Sequence, residues 1–142
     1  MKRHIISATA VIIAILLSGC TVFSNTNTNS TKIDLGNSET YTDTELQTAA
    51  DMIIAQIKEW NSVDEIRTVS YSGDIISAED LEYCNTLNNS VYDQCVVFES
   101  AFFTSGSADS EGFEPNSLYD GWMWYLARTD GGAWEVVTCG YA

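Results

Sequence analysis

The stretch Thr42–Trp60, TDTELQTAADMIIAQIKEW, decides the fold. Thr42 and Glu45 stand at the spacing of a capping box, in which the hydroxyl accepts from the backbone three residues on and the carboxylate reaches back to the threonine N–H. Leu46, Ala50, Ile53, Ile54, Ile57 and Trp60 then recur at helical spacing, with Asp51, Gln56 and Glu59 on the other side. Such a helix carries one apolar stripe and must lay it on another element, here a sheet. Asn61-Ser62 ends it.

Strand signals supply the sheet. Glu65–Ser72 carries Ile66, Thr68, Val69 and Tyr71, residues that favour extended backbone. Ser72-Gly73-Asp74 reads as a turn, and Ser77-Ala78-Glu79-Asp80 as the start of a short helix through Leu81 and Cys84, followed by an Asn-rich loop. Tyr92–Thr104 is the longest strand, with Cys95, Val97, Glu99, Ala101 and Phe103 on one face and Val96, Phe98, Ser100 and Phe102 on the other. Both faces are mostly apolar, which places it centrally. Ser105–Leu118 is an acidic loop holding the only proline, Pro115. Tyr119–Arg128 and Ala133–Tyr141 form a hairpin through Asp130-Gly131-Gly132. The order predicts an α+β fold over residues 41–142, a curved antiparallel sheet of about four strands wrapped around one long N-terminal helix.

The N-terminus gives an address. A basic start (Lys2, Arg3, His4), the apolar run Ile5–Leu17 and Leu17-Ser18-Gly19-Cys20 follow the layout of a secretory signal peptide. The run is shorter than the roughly 20 residues a membrane helix needs. The cysteine after Leu-Ser-Gly resembles a bacterial lipobox. That resemblance implies a lipoprotein signal peptide over 1–19, thioether lipidation of Cys20, and an extracytoplasmic domain held on the membrane by its lipid. Residues 20–40, rich in Asn, Ser and Thr, read as a lipidated tether.

Composition excludes much chemistry. Processing removes Lys2 and Arg3, leaving four basic side chains against 20 acidic ones and a net charge of −16. Such a surface repels phosphate backbones, so no nucleic-acid partner is expected. The only histidine, His4, leaves with the signal. The mature chain therefore has no Ser-His-Asp or Cys-His nucleophilic site, no histidine base and none of the usual catalytic zinc ligand sets. No cofactor, no metal and no catalytic residue is expected. Carboxylates alone are left for acid–base work, with Glu99 inside the central strand as the candidate, and its plainer reading is an outward residue. The acidic loop over 107–114 invites a weak calcium reading, but it lacks EF-hand order, since Ser107 and Leu118 would fill the first and twelfth positions.

Besides Cys20 there are Cys84, Cys95 and Cys139, an odd number in a compartment that permits disulfides. Cys84–Cys95 is the most local pair, and closing so short a loop stabilises by roughly 3 kcal/mol in the chain-entropy model. Cys84–Cys139, Cys95–Cys139 and three free thiols remain open. The best candidate binding surface is aromatic: Tyr119, Trp122, Trp124, Tyr125, Trp134 and Tyr141 offer flat apolar area with polar tips, and the competing readings are core and a homodimer face. Arg128 can stack on Trp134, pair with Asp120 or Glu135, or hold an anion.

The segment Asn116–Arg128, with the pattern Asn-x-x-Tyr-x-x-Trp-x-Trp-x-Leu-x-Arg, then Gly132-Ala133-Trp134-Glu135-Val136-Val137 and Gly140-Tyr141, resembles the end of small uncharacterised lipoproteins of Gram-positive bacteria. That resemblance implies a cystatin-like or NTF2-like domain on the outer side of a cell membrane, and no activity. The reading that results is a non-enzymatic binding module for a peptide, glycan or protein partner of the envelope. The alternatives are a self-associating structural lipoprotein and a histidine-free cavity enzyme.

Overall fold

The computed structural model describes residues 26–28 and 30–142. Five strands and three helices follow in the order β1 (Lys32–Asp34), α1 (Asp43–Glu59), β2 (Val63–Tyr71), α2 (Asp74–Glu79), α3 (Leu81–Asn88), β3 (Gln94–Thr104), β4 (Leu118–Arg128) and β5 (Glu135–Gly140). The strands lie in one sheet in chain order. β1 runs parallel to β2, and every other neighbour is antiparallel. The molecule is α+β, as the sequence predicts.

Two expectations are corrected. The sheet is mixed and five-stranded, because part of the stretch assigned to the tether joins it. Within 20–40, Lys32–Asp34 pairs with Thr68–Ser70. Ile33 and Leu35 supply the reason, since both pack on the main core. The hydroxyls around them find carbonyls on β2: Thr31 donates to Ile66 and Thr26 to Val63, each at 2.8 Å, and the Asn27 N–H donates to the Asp64 carbonyl at 2.7 Å. The second helical region also begins earlier than expected, at Asp74, and bends at Asp80 into α3. The signal peptide expected over 1–19, and Cys20, lie outside the described residues.

The α1 stripe is buried as its spacing requires, with Leu46, Ala49, Ala50, Ile53 and Ile57 all fully covered. They pack with Ile66, Val69, Val96, Phe98, Phe102, Trp124 and Leu126. Each Leu, Ile, Val or Phe among them contributes roughly 1.5–3 kcal/mol by leaving water. Its capping box forms in full. The Glu45 N–H donates to the Thr42 hydroxyl at 3.3 Å, and the Thr42 N–H donates to the Glu45 carboxylate at 2.9 Å.

The opposite face carries a smaller core of Cys84, Tyr92, Cys95, Val97 and Ala127, covered by α3. Tyr92 seals it by accepting and donating around Asn85: its N–H donates to Asn85 Oδ1 at 2.5 Å, and Asn85 Nδ2 donates back to its carbonyl at 3.2 Å. One long helix and two short ones thus divide the two apolar faces of β3. Opposite Ala101 on β3, β4 fits two residues, Asp120 and Gly121, between the Ser100↔Trp122 and Phe102↔Tyr119 pairs. This bulge needs positive φ, and Gly121 takes φ 76°. It sets where the aromatic side chains of β4 point beyond it.

Candidate functional site

The expected aromatic surface splits into two groups at opposite ends of β4. At the first, β4 ends on Arg128 beside the N-terminus of α1. Arg128 is 6% exposed. Its Nη2 donates to the Glu45 carboxylate, its Nε donates to Gln94 Oε1 at 2.6 Å, and its guanidinium lies 4.0 Å over the Trp134 ring. Of the partners expected for Arg128, Trp134 is met; the ion pair is made with Glu45, and not with Asp120 or Glu135. Trp134 is buried, donates Nε1–H to the Glu45 carbonyl at 3.2 Å and meets the edge of Tyr41 at 5.6 Å between centroids. Tyr41 donates its hydroxyl to the Cys95 carbonyl at 2.9 Å.

Glu45 therefore serves twice, as the N3 residue of the capping box and as the counter-charge of Arg128. The hydrogen bond from Arg128, aided by the Thr42 donors, holds its carboxyl at about 2. A neighbouring carboxylate behaves alike. Asp74 accepts from the Ser38 hydroxyl at 2.6 Å, from the Glu39 N–H at 2.8 Å and from the Tyr71 hydroxyl at 2.9 Å. The Ser38 hydroxyl, first among these donors, holds it at about 2. Asp74 thereby fastens the segment that leads from β1 into α1. A small cleft of about 170 Å³ opens beside Arg128 and Trp134, bounded by Thr48, Met52 and Ala133. Two of the Arg128 nitrogens, Nε and Nη2, are directed at Gln94 and Glu45.

The second group lies where α1 ends and β4 begins. Trp124 belongs to its floor and is fully buried, stacked on Trp60 at 5.5 Å and donating Nε1–H to the Ser100 hydroxyl at 2.8 Å. Above it Trp60, Phe102, Phe113, Tyr119 and Trp122 touch edge to face, tilted or stacked, with centroids 5.1–6.1 Å apart. Such pairs add about 0.5–1.5 kcal/mol each beyond area burial. Tyr141 closes the group from β5, stacked on Tyr119 at 6.0 Å and edge-on to Trp122 at 5.3 Å, and stays 59% exposed. Leu118 beside them is half exposed. Among the described residues, the Trp122 indole N–H is the one buried side-chain polar atom without a well-formed hydrogen bond, and the group it pulls on is the Cys139 sulfur, a weak acceptor. Tyr125 stands apart on the α3 face, edge-on to Tyr83.

Glu99 is exposed, paired in register with Ser70 and Met123. In the acidic loop, Glu111 is tied to Ser62, just past the end of α1. Its carboxylate accepts from the Ser62 hydroxyl and from the Ser62 N–H at 3.0 Å, which holds its carboxyl below the usual range. Among the described residues no group of three or more acidic, cysteine or histidine side chains is placed to hold a metal. Cys84 and Cys95 are neighbours, and Cys139 lies on the other face of the sheet. Burial pushes the Cys139 thiol up, against the pull of the Trp122 indole.

Sequence reasoning missed Trp60 and Phe113 as members of the aromatic group, and Asp74 as a fastening point. A lone phenylalanine in an acidic loop was the available signal for Phe113. No helix among the described residues is long and apolar enough to cross a membrane. No family model, no curated protein and no solved structure matches the chain.

Proposed function

We propose that this chain is a lipid-anchored extracytoplasmic domain of the cystatin-like or NTF2-like kind that binds an envelope peptide, glycan or amphiphile without chemistry, through the Tyr119–Trp122–Tyr141 end of its sheet. One observation carries the reading: this end combines exposed ring area with a buried indole N–H that, among the described residues, has only the weakly accepting Cys139 sulfur to answer it. Buried donors are nearly always paired, and an unpaired one costs about 1–3 kcal/mol. A ligand carbonyl or hydroxyl that accepts from Trp122 while an apolar face rests on Tyr141 would recover that cost. A self-associating lipoprotein is the competing reading, and the high negative charge opposes it by repulsion between copies.

The test is a thermal-shift series on the chain from Thr21, which keeps β1, against muropeptides, glycans, extended peptides and small amphiphiles. A ligand at 100 times its Kd raises apparent stability by about 2.7 kcal/mol. The expected result is a dose-dependent rise in Tm with one class, abolished in Tyr141→Ala, which removes an exposed ring and little packing. A flat response to all four classes, together with a concentration-dependent Tm, favours self-association and overturns the proposal. Replacing Cys20 by Ser in cells is expected to move the protein from the membrane to the aqueous fraction.

A further inference from the structure

The sheet separates the three cysteines. Cys84 on α3 and Cys95 on β3 share the smaller core, 0% and 2% exposed, with their sulfurs 3.4 Å apart. Cys139 on β5 pairs in register with Trp124 and packs against the core under α1. The sheet backbone stands between it and the other two, so neither can reach it while the fold is intact.

We propose that Cys84 and Cys95 are joined as a disulfide in the mature protein and that Cys139 stays a thiol. The two sulfurs need to approach by about 1.4 Å to reach bonding distance, and α3 is a short helix flanked by the bend at Asp80 and the loop at Asn89. The bond would fix α3 on β3 at its middle, between the Val97 N–H to Ser77 hydroxyl bond (3.0 Å) and the Asn85–Tyr92 pair. The oxidant is a disulfide of the thiol–disulfide exchange class, small or protein-borne. The Cys84 thiolate attacks one of its sulfurs, the oxidant's S–S bond breaks, and one of its halves leaves as a thiolate. Cys95 then gives its proton to solvent and attacks the Cys84 sulfur, expelling the second half. Two protein thiols are oxidised and the partner disulfide is reduced to two thiols. The same exchange runs with the two cysteines interchanged, because before α3 docks neither thiol is held by the other. Both sulfurs are buried once α3 docks, so exchange precedes docking and the finished bond resists reductants.

The proposal rests on the extracytoplasmic reading for its occurrence in cells, and its test separates the two. Trypsin finds no Lys or Arg between Arg67 and Arg128, so Cys84 and Cys95 fall on one peptide, 68–128, and Cys139 on another, 129–142. The full-length protein extracted from cell membranes is acid-quenched, unfolded, alkylated with N-ethylmaleimide and digested. The expected masses are an unlabelled 68–128 peptide, lighter by two hydrogens than its reduced form, and a singly labelled 129–142 peptide. A second sample is reduced, unfolded and refolded in a glutathione disulfide–thiol mixture. Two labels on 68–128 from cells, but none after refolding, keep the pairing and reject the oxidising location. Two labels in both samples, or a crosslinked 68–128 with 129–142, overturn the proposal. Cys139→Ser is expected to leave the unlabelled 68–128 peptide unchanged, and a loss of that state there also counts against it.

Discussion

The two ends of the sheet use tryptophan and tyrosine in opposite ways. At the Arg128 end every polar tip is engaged: Trp134 on the Glu45 carbonyl, Tyr41 on the Cys95 carbonyl, Tyr71 on Asp74. The rings there are fillers between hydrogen bonds, and charge sits among them because Arg128 and Glu45 meet in the same place. At the Trp122 end the rings mostly touch one another, Tyr141 keeps most of its surface in water, and one indole donor has only a sulfur to turn to. The lesson is that an aromatic cluster read from sequence is two objects in space, one that holds the fold together and one with interactions to spare.

The contrast is open to breaking. Arg128→Met carries the largest expected effect, because it strands Glu45 and leaves Gln94 without its donor. Removing one member of a buried pair costs about 3–5 kcal/mol, and Glu45 keeps a third of its side chain in water, so the low end, about 3 kcal/mol, is expected in urea unfolding. Acid should undo the same end. Glu45 and Asp74 have folded values of about 2 against ordinary values of 4.5 and 3.8. Their contribution is complete above the ordinary values and is lost as pH falls toward the folded ones. Unfolding midpoints measured between about pH 5 and pH 2 should drop steeply, and Glu45→Gln should flatten part of that slope. A wild-type profile that is level over this window would contradict the assignment.

A matched pair of substitutions sharpens the comparison with smaller effects. Trp134→Phe removes a donor in use and weakens the contact with Arg128, and is expected to cost about 1–2 kcal/mol. Trp122→Phe removes a donor that has only the weakly accepting Cys139 sulfur, and is expected to leave stability unchanged or raise it by up to about 1 kcal/mol while weakening any ligand. Equal losses from both variants, read by thermal unfolding, would erase the distinction between the ends.

Local chemistry was legible from the chain. The Thr42–Glu45 box, the 3.6-residue stripe of α1, the two-faced β3 and the Asp130-Gly131 turn, with φ 53° and 65°, are each written within a few neighbouring residues. What could not be read were choices made across the chain. Glu45 shows itself as a cap, but nothing near it announces a partner 83 residues away. Lys32-Ile33-Asp34 looks like more of the polar run around it, and becomes a strand only because the open edge of β2 is there to accept it. Cys84 and Cys95 are close in sequence and so were a natural pair; that Cys139 stands behind the sheet depends on the register of β5.

The pairing of Thr26 and Asn27 with the start of β2 has a further consequence. If Cys20 carries the lipid, only residues 21–25 separate the anchor from the folded body, a leash whose contour cannot exceed about 20 Å. It joins the domain at Val63, next to Trp60, and so at the aromatic end. The domain then rides on the bilayer and does not sweep the space above it. On that condition the ring cluster would stay within about 20 Å of the bilayer surface, and a membrane-borne ligand would reach it by diffusion in two dimensions.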